Sequence, residues 1–167
     1  PFFVSLKEGA EKEAKAQGAT LQVADAQDDA AKQASDIEDM IQKNVDLILI
    51  NPTDSAAVGA AVQTANDADI PVITVDRNAE AGDVIAHIAS DNVAGGKQAG
   101  EYMIELVGDK AKVVELEGIP GASATRDRGE GFHAAVDSKL DVVAKQSANF
   151  DRAKGLSVME NILQNNK

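Results

Sequence analysis

A chain of 167 residues that is 44% apolar can bury a real core, as one large domain or as two small ones. Its net charge is −12 and its Lys and Arg are scattered, which argues against a nucleic-acid partner, whose affinity rests on counterion release by a basic face. The absence of cysteine excludes disulfides, thiolate metal sites and a cysteine nucleophile, and no apolar stretch approaches the roughly 20 residues that span a bilayer.

Residues 3–17 read as a helix with Phe3, Leu6, Ala10 and Ala14 on one face, closed by Gly18. A short strand begins at Leu21 and ends near Asp25. A helix over about 28–43 carries Ala34, Ile37 and Ile41 as its apolar stripe. The unalternated run 45–50 reads as a strand covered on both faces, the pattern of a parallel sheet. A helix from about 54 to 67, capped by Thr53 or Asp54, leads to a second such strand at 71–75. These strand starts recur about every 25 residues, the cadence of βα units with right-handed crossovers.

The cadence then breaks. Residues 78–83 read as loop, 84–88 as a strand, and Ser90-Asp91-Asn92 as the cap of a helix to about 107. A new βα series follows, with strands at 112–117 and 141–146 and helices at about 123–137 and 152–164. The lost rhythm at 84–92 predicts a boundary between two α/β lobes, 1–90 and 91–167. No Pro/Gly-rich linker separates them, so a hinge is expected rather than a tether.

A doubly wound lobe of strand order 2-1-3-4-5 starts with a central strand, whereas this chain starts with the helix that should follow one. Strands 20–25 and 45–50 would then flank an empty slot with unpaired backbone groups. The expectation is a polypeptide that extends upstream of Pro1, where a secretion leader could also lie, and beyond Lys167.

In open parallel sheets ligands bind just past the carboxyl ends of the strands. The first lobe places Asn51 after strand 45–50 and Asp76-Arg77 after strand 71–75, so an amide, a carboxylate and a guanidinium are expected at one crevice. They donate to and accept from hydroxyl groups. Phe2 and Phe3 cannot both face the core of one helix, so one should project toward the crevice. Phe150 follows strand 141–146, again at a carboxyl end. Flat rings there can stack on the C–H faces of a sugar.

Catalytic signals are thin. His87 and His133 lack flanking motifs and read first as structural residues. Glu115 and Glu117 share a strand face, which imitates an acid/base pair but reads first as the mouth or exposed edge of the second sheet. The turn Gly118-Ile119-Pro120-Gly121 leads into a helix whose amino end attracts anions, yet a tight strand-to-helix turn explains it as well. No nucleophile elbow, metal spacing or Walker loop is present, so no catalytic residue, metal or cofactor is assigned.

The segments Pro1-Phe2-Phe3, Ile50 to Ser55, Ile70 to Arg77, His87 to Asn92 and Arg126 to Phe132 resemble, in order and along the whole chain, the bacterial ribose-binding proteins. These are periplasmic substrate-binding components of ABC transporters with the type I periplasmic-binding-protein fold. The resemblance covers the middle part of that family's length. It implies two Rossmann-like lobes of parallel sheets flanked by helices, incomplete at both ends here. It also implies a non-enzymatic, periplasmic protein that hands ribose or a similar monosaccharide to a membrane permease, and in some cases engages a chemoreceptor. Carried over, the sugar contacts fall on Phe2 and Phe3, which stack, on Asn51, Asp76 and Arg77 from the first lobe, and on Arg128 and Phe150 from the second. The rival within the fold is the effector-binding core of a lactose-repressor-type regulator. A Rossmann-like nucleotide-binding enzyme is the rival of another class, and it lacks its glycine fingerprint here.

Overall fold

The structure is a computed structural model that describes residues 2–166; Pro1, the first residue of the Pro-Phe-Phe segment, lies outside them. Helix α1 (Phe2–Gln17) ends at Gly18, whose φ of +71° is the left-handed conformation that glycine adopts without strain. Leu6, Ala10 and Ala14 form its half-buried face. Helix α2 (Ala30–Gln42) starts at Asp29, whose carboxylate accepts from Lys32 N at 2.9 Å, and buries Ile37.

Three parallel strands follow: β1 (Ile48–Ile50), β2 (Val72–Val75) and β3 (Ala86–Ile88), in the order β1-β2-β3. Ile48 lies opposite Val72, and Ile73 opposite Ala86. Helix α3 (Gly59–Asp67) joins the first two, and with α2 it covers one face of the sheet. The core holds Ile37, Ile48, Ile50, Val58, Val62, Ala65 and Val72. Fully burying each large aliphatic side chain contributes about 1.5–3 kcal/mol.

Three expectations require correction. Residues 21–25 form no strand, because Leu21 and Val23 are exposed and have no ladder neighbour among the described residues. Nor is the run 45–50 covered on both faces. Only Ile48–Ile50 is paired, and Leu47 and Leu49 are 42% and 48% exposed because no described element covers their side. The helix expected from residue 54 begins as a turn. Asp54 Oδ1 accepts from the amides of Ala56 and Ala57, and the regular helix starts at Gly59.

Beyond β3, Asp91 caps helix α4 (Asn92–Val107) through a 2.9 Å bond from Ala94 N. Strand β4 (Lys112–Glu117), helix α5 (Ser123–Val136), strand β5 (Asp141–Ser147) and helix α6 (Arg152–Asn165) complete the chain. β4 and β5 pair in parallel, with an irregularity between Val113 and Val114. Helices α4 and α5 meet backbone to backbone. A methyl group at Gly96 would overlap the Arg128 carbonyl, and one at Gly131 would overlap that of Val93. The fold is thus two parallel sheets flanked by helices.

Candidate functional site

The site grows from the carboxyl ends of β1, β2 and β5. Past β1, the side chain of Gln33 clamps the chain: its Nε2 donates to Asn51 O at 2.8 Å and its Oε1 accepts from Thr53 N at 2.9 Å. Past β2, Asp76 takes a φ of +64° and Arg77 N closes on Val75 O at 2.7 Å, a tight three-residue turn. The turn is anchored by Asp76 N donating to Ile88 O at 2.8 Å. It turns the Asp76 carboxylate to within 3.5 Å of Asn51 Nδ2 and 3.9 Å of Arg77 Nε.

Arg77 is 5% exposed, and its Nη1 donates to the carbonyls of Pro52 (3.2 Å) and Thr53 (3.4 Å). Its guanidinium carbon lies 5.4 Å from the centre of the Phe3 ring and 5.9 Å from that of Phe150. A cation over aromatic faces is held by their quadrupoles. Phe2 and Phe3 meet edge to face with centroids 5.2 Å apart, and both turn toward the cleft. Phe150 arrives through two consecutive left-handed residues, Asn149 (φ +53°) and itself (φ +57°), before Asp151 caps α6. Its ring rests where Gly118 has no side chain, since a methyl group there would overlap it. Arg128 is exposed on α5, and its Nε donates to Asn92 Oδ1 at 2.8 Å.

These groups line one cleft of about 530 Å³, within the range usual for small-molecule sites. Of the residues singled out from sequence, Phe2, Phe3, Asp76, Arg77, Arg128 and Phe150 line it, and Asn51 stands behind them through Asp76. Sequence reasoning missed Asp28, Ile119, Asn149 and Asp151. The last two flank Phe150 at the carboxyl end of β5, where the sequence reading took only the ring. Carboxylates, guanidinium groups and flat rings converge here, a set that serves a polyhydroxylated ligand better than a charged one. A second cavity of about 520 Å³ runs along β4 from Glu115 to Gly118 and shares Arg128 and Phe150 with the first.

The acid/base look-alikes resolve as ion pairs. Glu117 lies 3.1 Å from Lys145 Nζ, while Glu115 accepts from His133 Nε2 at 2.8 Å. Asp137 takes the other ring nitrogen of His133 at 2.6 Å. The hydrogen bond to Asp137 is the main reason the imidazole pKa stands above its usual value; burial opposes it, and the charge of Glu115 adds to it. His87 Nδ1 is 2.8 Å from Thr74 Oγ1. Among the described residues, no group of three His, Asp or Glu side chains is placed to hold a metal ion.

The two sheet units also touch beside the cleft. Ser55 N donates to Gly121 O (2.9 Å), Ser123 N to Ser55 Oγ (3.2 Å), and Asn78 N to Ser123 Oγ (2.8 Å). Arg126 pairs with Glu80 at the exposed rim. None of these contacts was foreseen, because loop serines and asparagines carry no periodic signal.

Parallel sheets flanked by helices thus carry an aromatic and charged cleft at the strand ends. Residues 1–167 match the family described as periplasmic binding protein domain, and the chain belongs to that family. It is 60% identical to the ribose import binding protein RbsB of Bacillus subtilis over 164 residues, covering 98% of this chain and 54% of that protein. Against RbsB of Escherichia coli the identity is 56% over 164 residues, covering 98% of this chain and 55% of that protein. The crystal structure of a Caulobacter myo-inositol binding protein bound to myo-inositol superposes with a TM-score of 0.94 at 33% identity, covering 99% of this chain and 57% of that one. The chain spans about half the length of the curated relatives it matches.

Proposed function

We propose that this chain is the greater part of a two-lobed, non-enzymatic binding protein that captures ribose in the cleft and delivers it to an ABC-transporter permease. The lobes divide near Ser90, and ligand bridging them shifts the hinge toward closure. The observation that carries this reading is the buried Arg77 guanidinium near both Phe3 and Phe150, with Asp76 beside it. Rings can stack on the sugar's C–H faces while the charged groups take its hydroxyls. Arg128 and Phe150 belong to the second lobe and close on the side opposite Asn51, Asp76 and Arg77.

High identity to ribose import binding proteins supports the sugar and the transport role over a lactose-repressor-type regulator. A periplasmic location belongs to the same reading, and so does engagement of a chemoreceptor by the closed surface. Calorimetry on the longest natural polypeptide that contains this chain tests the proposal. Ribose is expected to bind ahead of glucose and galactose. Equal or tighter binding of a hexose would overturn the assignment.

A further inference from the structure

Ser123 occupies the first position of α5, one residue inside the capping position, which Ala122 takes without a side-chain bond. The Ser123 hydroxyl accepts the Asn78 amide from the other lobe. Its own amide, an orphan donor of the first helical turn, donates to Ser55 Oγ, also in the other lobe. Both polar groups that Ser123 offers toward its surroundings are therefore bonded across the interface.

The receiving groups are prepared within the first lobe. Asn78 Oδ1 accepts from Thr74 Oγ1 and from Ala79 N, each at 3.0 Å. The carbonyl of Ser55 accepts from Glu80 N at 2.8 Å. Ser55 is fully buried and Ser123 is 9% exposed, so water does not compete for these bonds once the lobes meet. The receiving loops are also those that hold the cleft. Asn78 follows Arg77 directly, and Ser55 lies two residues past Thr53, whose carbonyl accepts from Arg77.

We propose that Ser123 is a closure latch: its hydroxyl and amide bond Asn78 and Ser55 only when the lobes are shut, so it sets how long a bound ligand stays without touching it. Opening exposes these groups to water, which satisfies them. Closing without the Ser123 hydroxyl buries the Asn78 amide unpaired, which penalises the closed state alone. The Arg126–Glu80 pair at the rim is half exposed on both sides, and solvent screens it.

The latch rests on the two-lobed closure proposed above, and its test separates the two ideas. This chain has no cysteine, so Glu38→Cys on α2 and Glu160→Cys on α6, both exposed, accept a fluorescent dye pair that reads lobe separation without any ligand. The experiment uses the longest natural polypeptide that contains this chain, with and without ribose. Ser123→Ala is expected to lower the closed fraction of the ligand-free protein. It should also raise the ribose dissociation rate about fivefold to tenfold while association changes by less than about twofold. Ser55→Ala should move both readouts in the same direction, and Glu80→Gln should move neither. An unchanged closed fraction and dissociation rate in Ser123→Ala overturns the latch. If that variant does not fold, the same result in Ser55→Ala overturns it. Failure of the parent protein to bind ribose would remove the proposed ligand, and the dye pair would still decide whether the latch exists.

Discussion

Arg77 and Pro52 are joined by a buried hydrogen bond: the guanidinium Nη1 donates to the Pro52 carbonyl at 3.2 Å, from the end of β2 to the end of β1. Proline has no amide hydrogen to contribute to a turn, but its carbonyl keeps full acceptor capacity. The bond fixes the plane of the guanidinium before ligand arrives. The arginine is therefore a preset donor in the cleft, and less rotamer entropy is lost on binding.

Replacing that donor should cost most of a charge-assisted hydrogen bond in a desolvated site, about 1.5–3 kcal/mol. Arg77→Ala is expected to weaken ribose binding at least about tenfold by calorimetry. Arg128→Ala should do the same while the protein stays folded, with a lowered melting temperature because the buried Asn92 Oδ1 loses its donor. Normal affinity in either variant would remove that residue from the site.

His133 carries the pH dependence. Its hydrogen bond to Asp137 and the charge of Glu115 outweigh burial, so the folded-state pKa stands above the ordinary imidazole value of 6.5. Lys145 Nζ, 3.3 Å from Nε2, is the opposing cation. The stabilisation is fully present below the unfolded-state value and is lost as pH rises through the folded-state one. Melting temperature should therefore fall over that window, and His133→Gln should flatten the fall. An identical pH profile in the variant would refute this account.

Gly95 and Gly96 are neighbours on α4 with opposite expectations. A methyl group at Gly95 meets open space, so Gly95→Ala should stabilise by about 0.5–1 kcal/mol through helix propensity. At Gly96 the same group would overlap the Arg128 backbone, and forcing α4 from α5 should destabilise by about 1–3 kcal/mol or more. Chemical denaturation of the pair reads both signs. Equal shifts would show that the helices do not touch as described.

The open edge of β1 makes a further expectation. Leu47 and Leu49 are exposed, as are Leu21 and Val23, and β1 pairs with β2 alone among the described residues. Such an edge recruits other chains. Residues 1–167 expressed alone should self-associate in light scattering and bind ribose weakly, and Leu49→Lys should reduce the association. A soluble monomer that melts cooperatively with full ribose affinity would refute this.

Much of the fold could be read locally. Asp29, Asp91 and Asp151 start helices because a carboxylate there accepts free amides of the first turn, a contact set by residues three apart. Unbroken runs such as Val72–Val75 mark buried strands for an equally local reason, and the carboxyl-end rule then located Asp76, Arg77 and Phe150 at one cleft. The segment 21–25 shows where that reading stops: its residues favour a strand, but a strand exists only when a neighbour supplies the other half of each hydrogen bond.

Residue types and spacing were enough to place most of the helices, the strands that pair in the two sheets, and Asp76, Arg77 and Phe150 at strand ends, but not Asp28, Ile119, Asn149 or Asp151. Tertiary structure alone decided which face of β1 stays bare, that Arg77 lies near both Phe3 and Phe150, and that Ser123 reaches Asn78 and Ser55. The physical reason is sequence separation. A cap or an apolar stripe is satisfied within a few residues, whereas the bond from Ser123 to Ser55 joins groups 68 positions apart and depends on how two sheet units meet.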